Sequence, residues 1–323
     1  MAPFFSTKGA METAMKSFRC GFVALVGRTN AGKSTLVNSL TGEKVSITSS
    51  KAQTTRDKIR GIVNRRNAQI VFIDTPGLHL WLKRTLNQLM IQSALSALGD
   101  ADCVLMLIDA AHALTPTGEI EEIEQGLIDA ISKAGRPAVL AINKIDLLKD
   151  PSALLPIIDT YRKAFDFADI VAVSARKRKE FDTLLDVIES HLPEQEALYP
   201  RDYYTDQSER FLASETIREV IYRQMSKELP YSAAVEIDDF KSLRDQGRIE
   251  IKATIYVERE SQKAIFIGKK GAAIKQLGID ARSRLSDVLG ANVHLELVVK
   301  VRSDWSENPK DLKSFGYLEE NQG

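Results

Sequence analysis

The chain of 323 residues carries 44 Lys+Arg against 44 Asp+Glu, 44% hydrophobic residues, 18 Gly, 10 Pro and 2 Cys. At roughly 150 residues per domain this is the length of two globular domains, and the balance of charge and apolar content excludes disordered, collagenous and low-complexity classes. Cys20 and Cys103 are too few and too far apart for a disulfide framework or a zinc cluster, and Asp102, Asp109 and His112 break the longest apolar run short of the roughly 18 residues a membrane span needs.

Residues 1–19 have Lys8, Lys16 and Arg19 against Glu12, lack a secretory apolar core and read as an N-terminal tail; a transit segment or a start at Met11 or Met15 fits the same composition. From Gly21 to Leu192, short β-branched runs alternate with longer amphipathic stretches, the pattern of a parallel sheet covered by helices. The predicted strands are Phe22 to Val26, Lys58 to Asn64, Ile70 to Ile73, Cys103 to Ile108, Ala138 to Ile142 and Asp169 to Val173, with Arg65 to Asn67 as a hairpin turn and a helix over Thr35 to Leu40. Two prolines between His191 and Pro200 interrupt this pattern, which divides the chain into a first domain over 20–192, a linker over 193–207, a second domain over 208–317 and a tail over 318–323. The second domain reads as a helix over Ser208 to Met225, strands over Tyr231 to Phe240 and Glu250 to Val257, helices over Gln262 to Phe266 and Ala272 to Leu289, and a strand over Val293 to Val301.

The run from Gly27 to Ser34 has the spacing G-x-x-x-x-G-K-[ST] between a predicted strand and a predicted helix, the context a phosphate loop requires. Its glycines let backbone N–H groups wrap an anion, so Gly27, Arg28, Thr29, Asn30, Ala31, Gly32, Lys33, Ser34 and Thr35 are the phosphate-binding candidates. Lys33 reaches the β- and γ-phosphates and the Ser34 hydroxyl binds Mg²⁺. Asp74, at the end of an apolar strand, can hold a Mg²⁺-bound water, and the N–H of Gly77 can sense the γ-phosphate beside Leu78. Asn143, Lys144 and Asp146 follow the fifth strand; a fixed carboxylate accepts two hydrogen bonds from guanine N1–H and its 2-amino group, a donor pair adenine lacks. The Ser174-Ala175-Arg176 loop would offer a backbone N–H to guanine O6.

This ordered set resembles the Ras-like GTPases over residues 20–192, and the run Gly27 to Asn38 together with Lys51 to Arg56 resembles the bacterial Era GTPase family. The resemblance implies an α/β fold, a Ras-like P-loop GTPase domain with a mostly parallel sheet, and makes Thr55 the switch threonine that closes on Mg²⁺, Thr54 being the alternative. Leu78 stands where Ras-like enzymes place a water-orienting glutamine, which predicts slow intrinsic hydrolysis. Resemblance to potassium-stimulated GTPases implies that Asn30 helps hold K⁺; a loop-stabilising amide is the other reading. The stretch His79 to Arg84 departs from the more basic, proline-containing segment the family has there.

Within the second domain, Gly268-Lys269-Lys270-Gly271 sits between two predicted helices, and Arg259, Lys263, Lys275, Arg282 and Arg284 outweigh Glu260 and Asp280 around it. The element order and basic excess resemble a smaller α+β type II KH domain, whose G-x-x-G loop clamps single-stranded RNA through residues matching Gly268, Lys269, Lys270, Gly271 and Lys275. Glu215 to Glu219, Leu229 to Glu236 and Val299 to Trp305 add further similarity to the Era family. That resemblance implies a cytoplasmic protein that binds GTP and GDP, engages the 3′ end of small-subunit ribosomal RNA and acts on the pre-30S particle; a monomer is expected, and its basic residues are also compatible with peripheral contact at the inner membrane face. Trp305 is read either as a base-stacking platform or as packing on the last strand.

Overall fold

The computed structural model describes residues 17–48, 59–76, 85–226, 228–315 and 317. Thr54, Thr55, Gly77, Leu78 and His79 to Arg84, with most of the N-terminal tail, lie outside the described residues. The first unit comprises strands β1 (Arg19–Val26), β2 (Ile59–Asn64), β3 (Ala68–Asp74), β4 (Cys103–Asp109), β5 (Ala138–Asn143) and β6 (Asp169–Ala172). Between and after them come helices α1 (Lys33–Thr41), α2 (Thr85–Asp100), α3 (Glu122–Ala134), α4 (Leu154–Ala164) and α5 (Phe181–Ser190). The strands form one sheet in the order β2-β3-β1-β4-β5-β6, antiparallel only between β2 and β3.

The strands read as unbroken apolar runs because both faces are covered. Val23, Leu25, Leu105 and Leu107 pack on one face with Leu36 and Leu40 of α1 and Leu184 and Ile188 of α5. Ala24, Val26, Val104 and Met106 pack on the other with Leu98 of α2, Leu127 and Ile131 of α3 and Tyr161 of α4. Helices on opposite faces of neighbouring strands leave a crevice at the carboxyl ends of the strands, and the loops carrying the candidate motifs converge there.

The second unit runs α6 (Glu209–Gln224), β7 (Ala234–Leu243), β8 (Arg248–Val257), α7 (Glu260–Ile267), α8 (Ala272–Leu289) and β9 (Asn292–Val301), then α9 (Pro309–Ser314). β7 pairs antiparallel with β8, and β8 pairs parallel with β9. Ile217 and Ile221 of α6 and Leu277 and Leu285 of α8 fill the core against Ile251 and Ile255. Trp305 is fully buried, donates from its indole N–H to the Ser232 carbonyl at 3.0 Å and meets Phe315 edge-on at 5.4 Å. The packing reading therefore holds, and base stacking by this residue is ruled out, because an enclosed ring presents no face to a nucleotide.

The segment between the units is docked along the first sheet. Gln69, wholly buried, accepts from the N–H groups of Leu198 and Tyr199 at 2.8 and 2.9 Å and donates to the Tyr199 carbonyl at 2.8 Å. Further along, the Ile62 N–H donates to the Tyr204 carbonyl at 2.9 Å and Arg60 pairs with Asp206 at 2.7 Å. A Gln69→Ala variant removes the acceptor of two partly buried N–H groups, and about 1–2 kcal/mol of unfolding free energy is expected to be lost in urea titrations.

Candidate functional site

The phosphate loop is set by two close approaches that only glycine permits. A Cβ on Gly27 would lie 2.3 Å from the Leu107 carbonyl oxygen of β4. Gly32 adopts φ +103°, and a Cβ there would lie 2.4 Å from the Asn143 side-chain nitrogen. Helix α1 therefore starts at Lys33, two residues before the periodicity alone places it, and its N-terminus opens on a cavity of about 860 Å³ lined by Asn30, Gly32 and Thr35. This is the size expected of a small-molecule site.

Lys33 is buried and its ammonium donates to the carbonyls of Gly27 and Arg28 at 2.9 and 3.0 Å. Burial pushes its pKa down to about 8, while the nearby Asp74 carboxylate pulls it up. Asp74 ends β3, wholly buried, and accepts from the Ser46 hydroxyl at 2.8 Å. A serine hydroxyl at position 34, one carboxylate and phosphate oxygens form a hard oxygen set that suits Mg²⁺, which keeps several waters and needs no protein cage. Among the described residues there is no cluster of three or more His, Cys, Asp or Glu that could hold a metal.

At the other end of the cavity, Asn143 is a brace. Its amide donates to the Ala31 carbonyl at 2.8 Å and its oxygen accepts from the Ala175 N–H at 2.9 Å, tying the phosphate loop to the loop after β6. The Ala175 N–H of the loop expected to serve guanine O6 is thus engaged by Asn143. Ser174 acts through its hydroxyl, which donates to Asp146 at 2.6 Å and orients that carboxylate. Lys144, Asp146, Ala175 and Arg176 line the cavity. Lys144 sits at φ 65° and its ammonium binds Asp109 at 2.6 Å. Burial works to raise the Asp109 carboxyl, but the hydrogen bonds from Lys144 and the Ala111 N–H outweigh it and hold it below its usual range. The sequence reading missed Asp109; an acid ending a buried apolar strand beside two motif-bearing strands was the available signal.

The Arg28 side chain pairs with Glu121, just ahead of α3, at 2.7 Å and with Glu124 of α3 at 3.6 Å. These two acids hold the guanidinium at the start of α3. Glu124 is 2% exposed, and burial raises its pKa to about 7, with Arg28 opposing. The folded chain therefore holds this proton more tightly than the unfolded chain; that contribution to stability is present below pH 4.5 and is lost as pH rises through about 7. Glu124→Gln removes the cost of the buried charge, so a melting temperature about 2–4 °C higher than the parent is expected at pH 8, with the difference vanishing near pH 4.5.

The second cluster lies on α7 and α8. Gly268 has φ 71° and ψ 176°, Lys270 φ 53° and Gly271 φ 78°, which turns the chain sharply and presents the exposed Lys269 and Lys270. Beside this turn, Ile274, Lys275, Gly278, Ile279 and Arg282 of α8 line a groove of about 350 Å³ against Leu295 and Leu297 of β9. Its apolar floor was missed from sequence, although Lys275, Ile279 and Arg282 fall on one helical face and Ile279 is 43% exposed. Cations on one rim and apolar side chains below suit a phosphate backbone with unstacked bases.

Residues 22–144 match the family model described as 50S ribosome-binding GTPase and residues 228–306 match that of the KH domain. GTPase Era of Pasteurella multocida is 46% identical over 301 residues, 93% of this chain and 96% of that protein. The chain belongs to the GTPase Era family. GTPase Era of Geobacter metallireducens is 47% identical over 300 residues, covering 93% of this chain and 98% of its own. Among solved structures, an Aquifex aeolicus Era variant bound to GDP·AlF4⁻ superposes with a TM-score of 0.87 at 41% identity, covering 94% of this chain and 100% of that one. Era in complex with MgGDPNP and nucleotides 1506–1542 of 16S ribosomal RNA gives 0.87 at 40% identity with the same coverage. The fold is that of the Era family, a Ras-like P-loop GTPase sheet followed by a KH domain, and the chain is a GTPase.

Proposed function

We propose that this GTPase is a timed switch that binds the 3′ end of small-subunit ribosomal RNA during small-subunit maturation, working as a cytoplasmic monomer on the pre-30S particle. The observation that carries the reading is one chain holding both a cavity with phosphate-loop and guanine-selective groups and a groove with cations over an apolar floor. A relative solved with MgGDPNP and 16S ribosomal RNA nucleotides supports it.

Asp146, oriented by Ser174, reads the guanine donor edge, and leaving that carboxylate unpaired is what rejects ATP. Lys33 leaves its carbonyl partners for the β- and γ-phosphates, while loop amides and the N-terminus of α1 spread stabilisation over the charge that develops on the phosphoryl oxygens. Ser34 and Asp74 would hold Mg²⁺, which when bound neutralises charge across the β- and γ-phosphates. Asn30, which lines the cavity, is proposed to assist K⁺ there; equal hydrolysis rates in sodium and potassium buffers would refute this. Thr55 and the N–H of Gly77 carry the γ-phosphate signal in this reading, and Leu78 leaves the attacking water without a positioned glutamine, so intrinsic turnover is slow.

The test is binding of a labelled single strand carrying the 3′ terminus of small-subunit ribosomal RNA, with a GTP analogue, GDP or no nucleotide, at two salt concentrations. Tight binding that weakens with salt and depends on nucleotide supports the switch, because phosphate neutralisation releases counterions. Absence of binding in every nucleotide state would leave the GTPase and refute the RNA partner.

A further inference from the structure

The cavity that takes the nucleotide is not closed by the first domain alone. Tyr222 and Arg223, at the C-terminal end of α6, line it together with Thr48, Lys144 and Asp146. Arg223 is 45% exposed on its side chain and is held at 2.6 Å by Glu219, one turn earlier on the same helix. The Glu219 carboxylate is itself wholly enclosed, where it pairs with Lys44 of the first domain, accepts from the Thr48 hydroxyl at 3.4 Å and lies 4.0 Å from Arg284 of α8. A single carboxylate thus faces Lys44, Arg223 and Arg284 and neutralises one of the three charges; Arg223 is the one that lines the cavity, whose ligand is polyanionic.

We propose that Arg223 is a nucleotide-binding residue supplied by the second domain, held by Glu219 over the open side of a guanine nucleotide. The inference rests on the cavity being the nucleotide site. It makes nucleotide binding and the seating of α6 mutually dependent: whatever draws α6 away removes a cation from the nucleotide, and by linkage loss of nucleotide loosens α6 by the same factor. Lys44 and Thr48 stand just ahead of the segment that carries Thr54 and Thr55, so the Glu219 contacts join this wall of the site to the chain leading into the switch.

The experiment measures affinity and release of fluorescent GDP with the full chain and its Arg223→Ala, Arg223→Lys and Arg223→Glu variants at low and high salt. A half-exposed side chain can be replaced without unfolding the helix, which thermal melts would verify. Arg223→Ala is expected to weaken GDP binding about five- to tenfold, the size of one charge-assisted contact at a partly wet site. Arg223→Glu should weaken it further, Arg223→Lys should restore most of the loss, and high salt should shrink the gap between parent and Arg223→Ala. Affinities within twofold of the parent for both Arg223→Ala and Arg223→Glu would overturn the proposal, and so would an equal loss with Arg223→Lys, since that is the mark of a packing role. Asp146→Asn, run alongside, separates the two levels: if it leaves the preference for guanine over xanthine unchanged, the reading of the cavity itself fails, whereas lost guanine preference with insensitive Arg223 variants sinks the Arg223 proposal alone.

Discussion

Replacing Gly32 by alanine is expected to lower guanine-nucleotide affinity by about a hundredfold, roughly 3 kcal/mol. Two costs act together. The residue sits at φ +103°, a conformation that costs an L side chain about 1–3 kcal/mol. The added methyl would also fall 2.4 Å from the Asn143 side-chain nitrogen. That nitrogen cannot retreat cheaply, because it donates to the Ala31 carbonyl while the opposite end of the same amide accepts from Ala175. Relief therefore comes from moving the phosphate loop or the loop after β6, and either movement spoils a wall of the cavity. Titration with fluorescent GDP measures the effect, with thermal melts to show that the sheet is intact. An affinity within threefold of the parent would mean that Asn143 is not the rigid brace the geometry indicates.

Sequence carried the phosphate and base motifs because each lies at the carboxyl end of a strand whose apolar run is unmistakable, so strand order and motif order reinforce one another. Lys33, Asp74, Asn143 and Asp146 could be placed at one crevice on that basis. Partners chosen by tertiary packing were invisible. Nothing in the run from Gly27 to Ser34 tells that Arg28 is claimed by Glu121 and Glu124 at the start of a helix on the sheet face. Glu219 and Lys44 meet across 175 residues of sequence, and α6 reads as an ordinary amphipathic helix although charged Glu215, Arg218 and Glu219 are as deeply buried as its isoleucines. That burial is intelligible only once α6 is seen to pack against its own sheet on one side and the first domain on the other. The docked course of residues 193–207 was hidden for the same reason, since prolines mark a break in secondary structure and do not reveal that Gln69 is waiting inside the sheet to bind the segment.

Gly268→Asp is expected to reduce affinity for single-stranded RNA by about a hundredfold at low salt while leaving GDP affinity within about twofold. The backbone at φ 71° and ψ 176° is open essentially to glycine alone, and a Cβ would stand 2.9 Å from the backbone nitrogen of Ala273, on the first turn of α8. The side chain also plants a carboxylate beside Lys269 and Lys270, where phosphate has to sit. Gly268→Ala separates the contributions, since it keeps the steric cost and adds no charge; about a tenfold loss is expected from it. The remainder should diminish at high salt, because the repulsion is between exposed charges. Gel-shift or anisotropy titrations at two ionic strengths measure all three proteins. Wild-type affinity in Gly268→Asp would show that the turn between α7 and α8 is not where the strand is gripped. In the opposite direction, Gly32→Ala should retain RNA affinity and lose its dependence on nucleotide, because the groove on α8 and β9 is built without any residue of the phosphate loop.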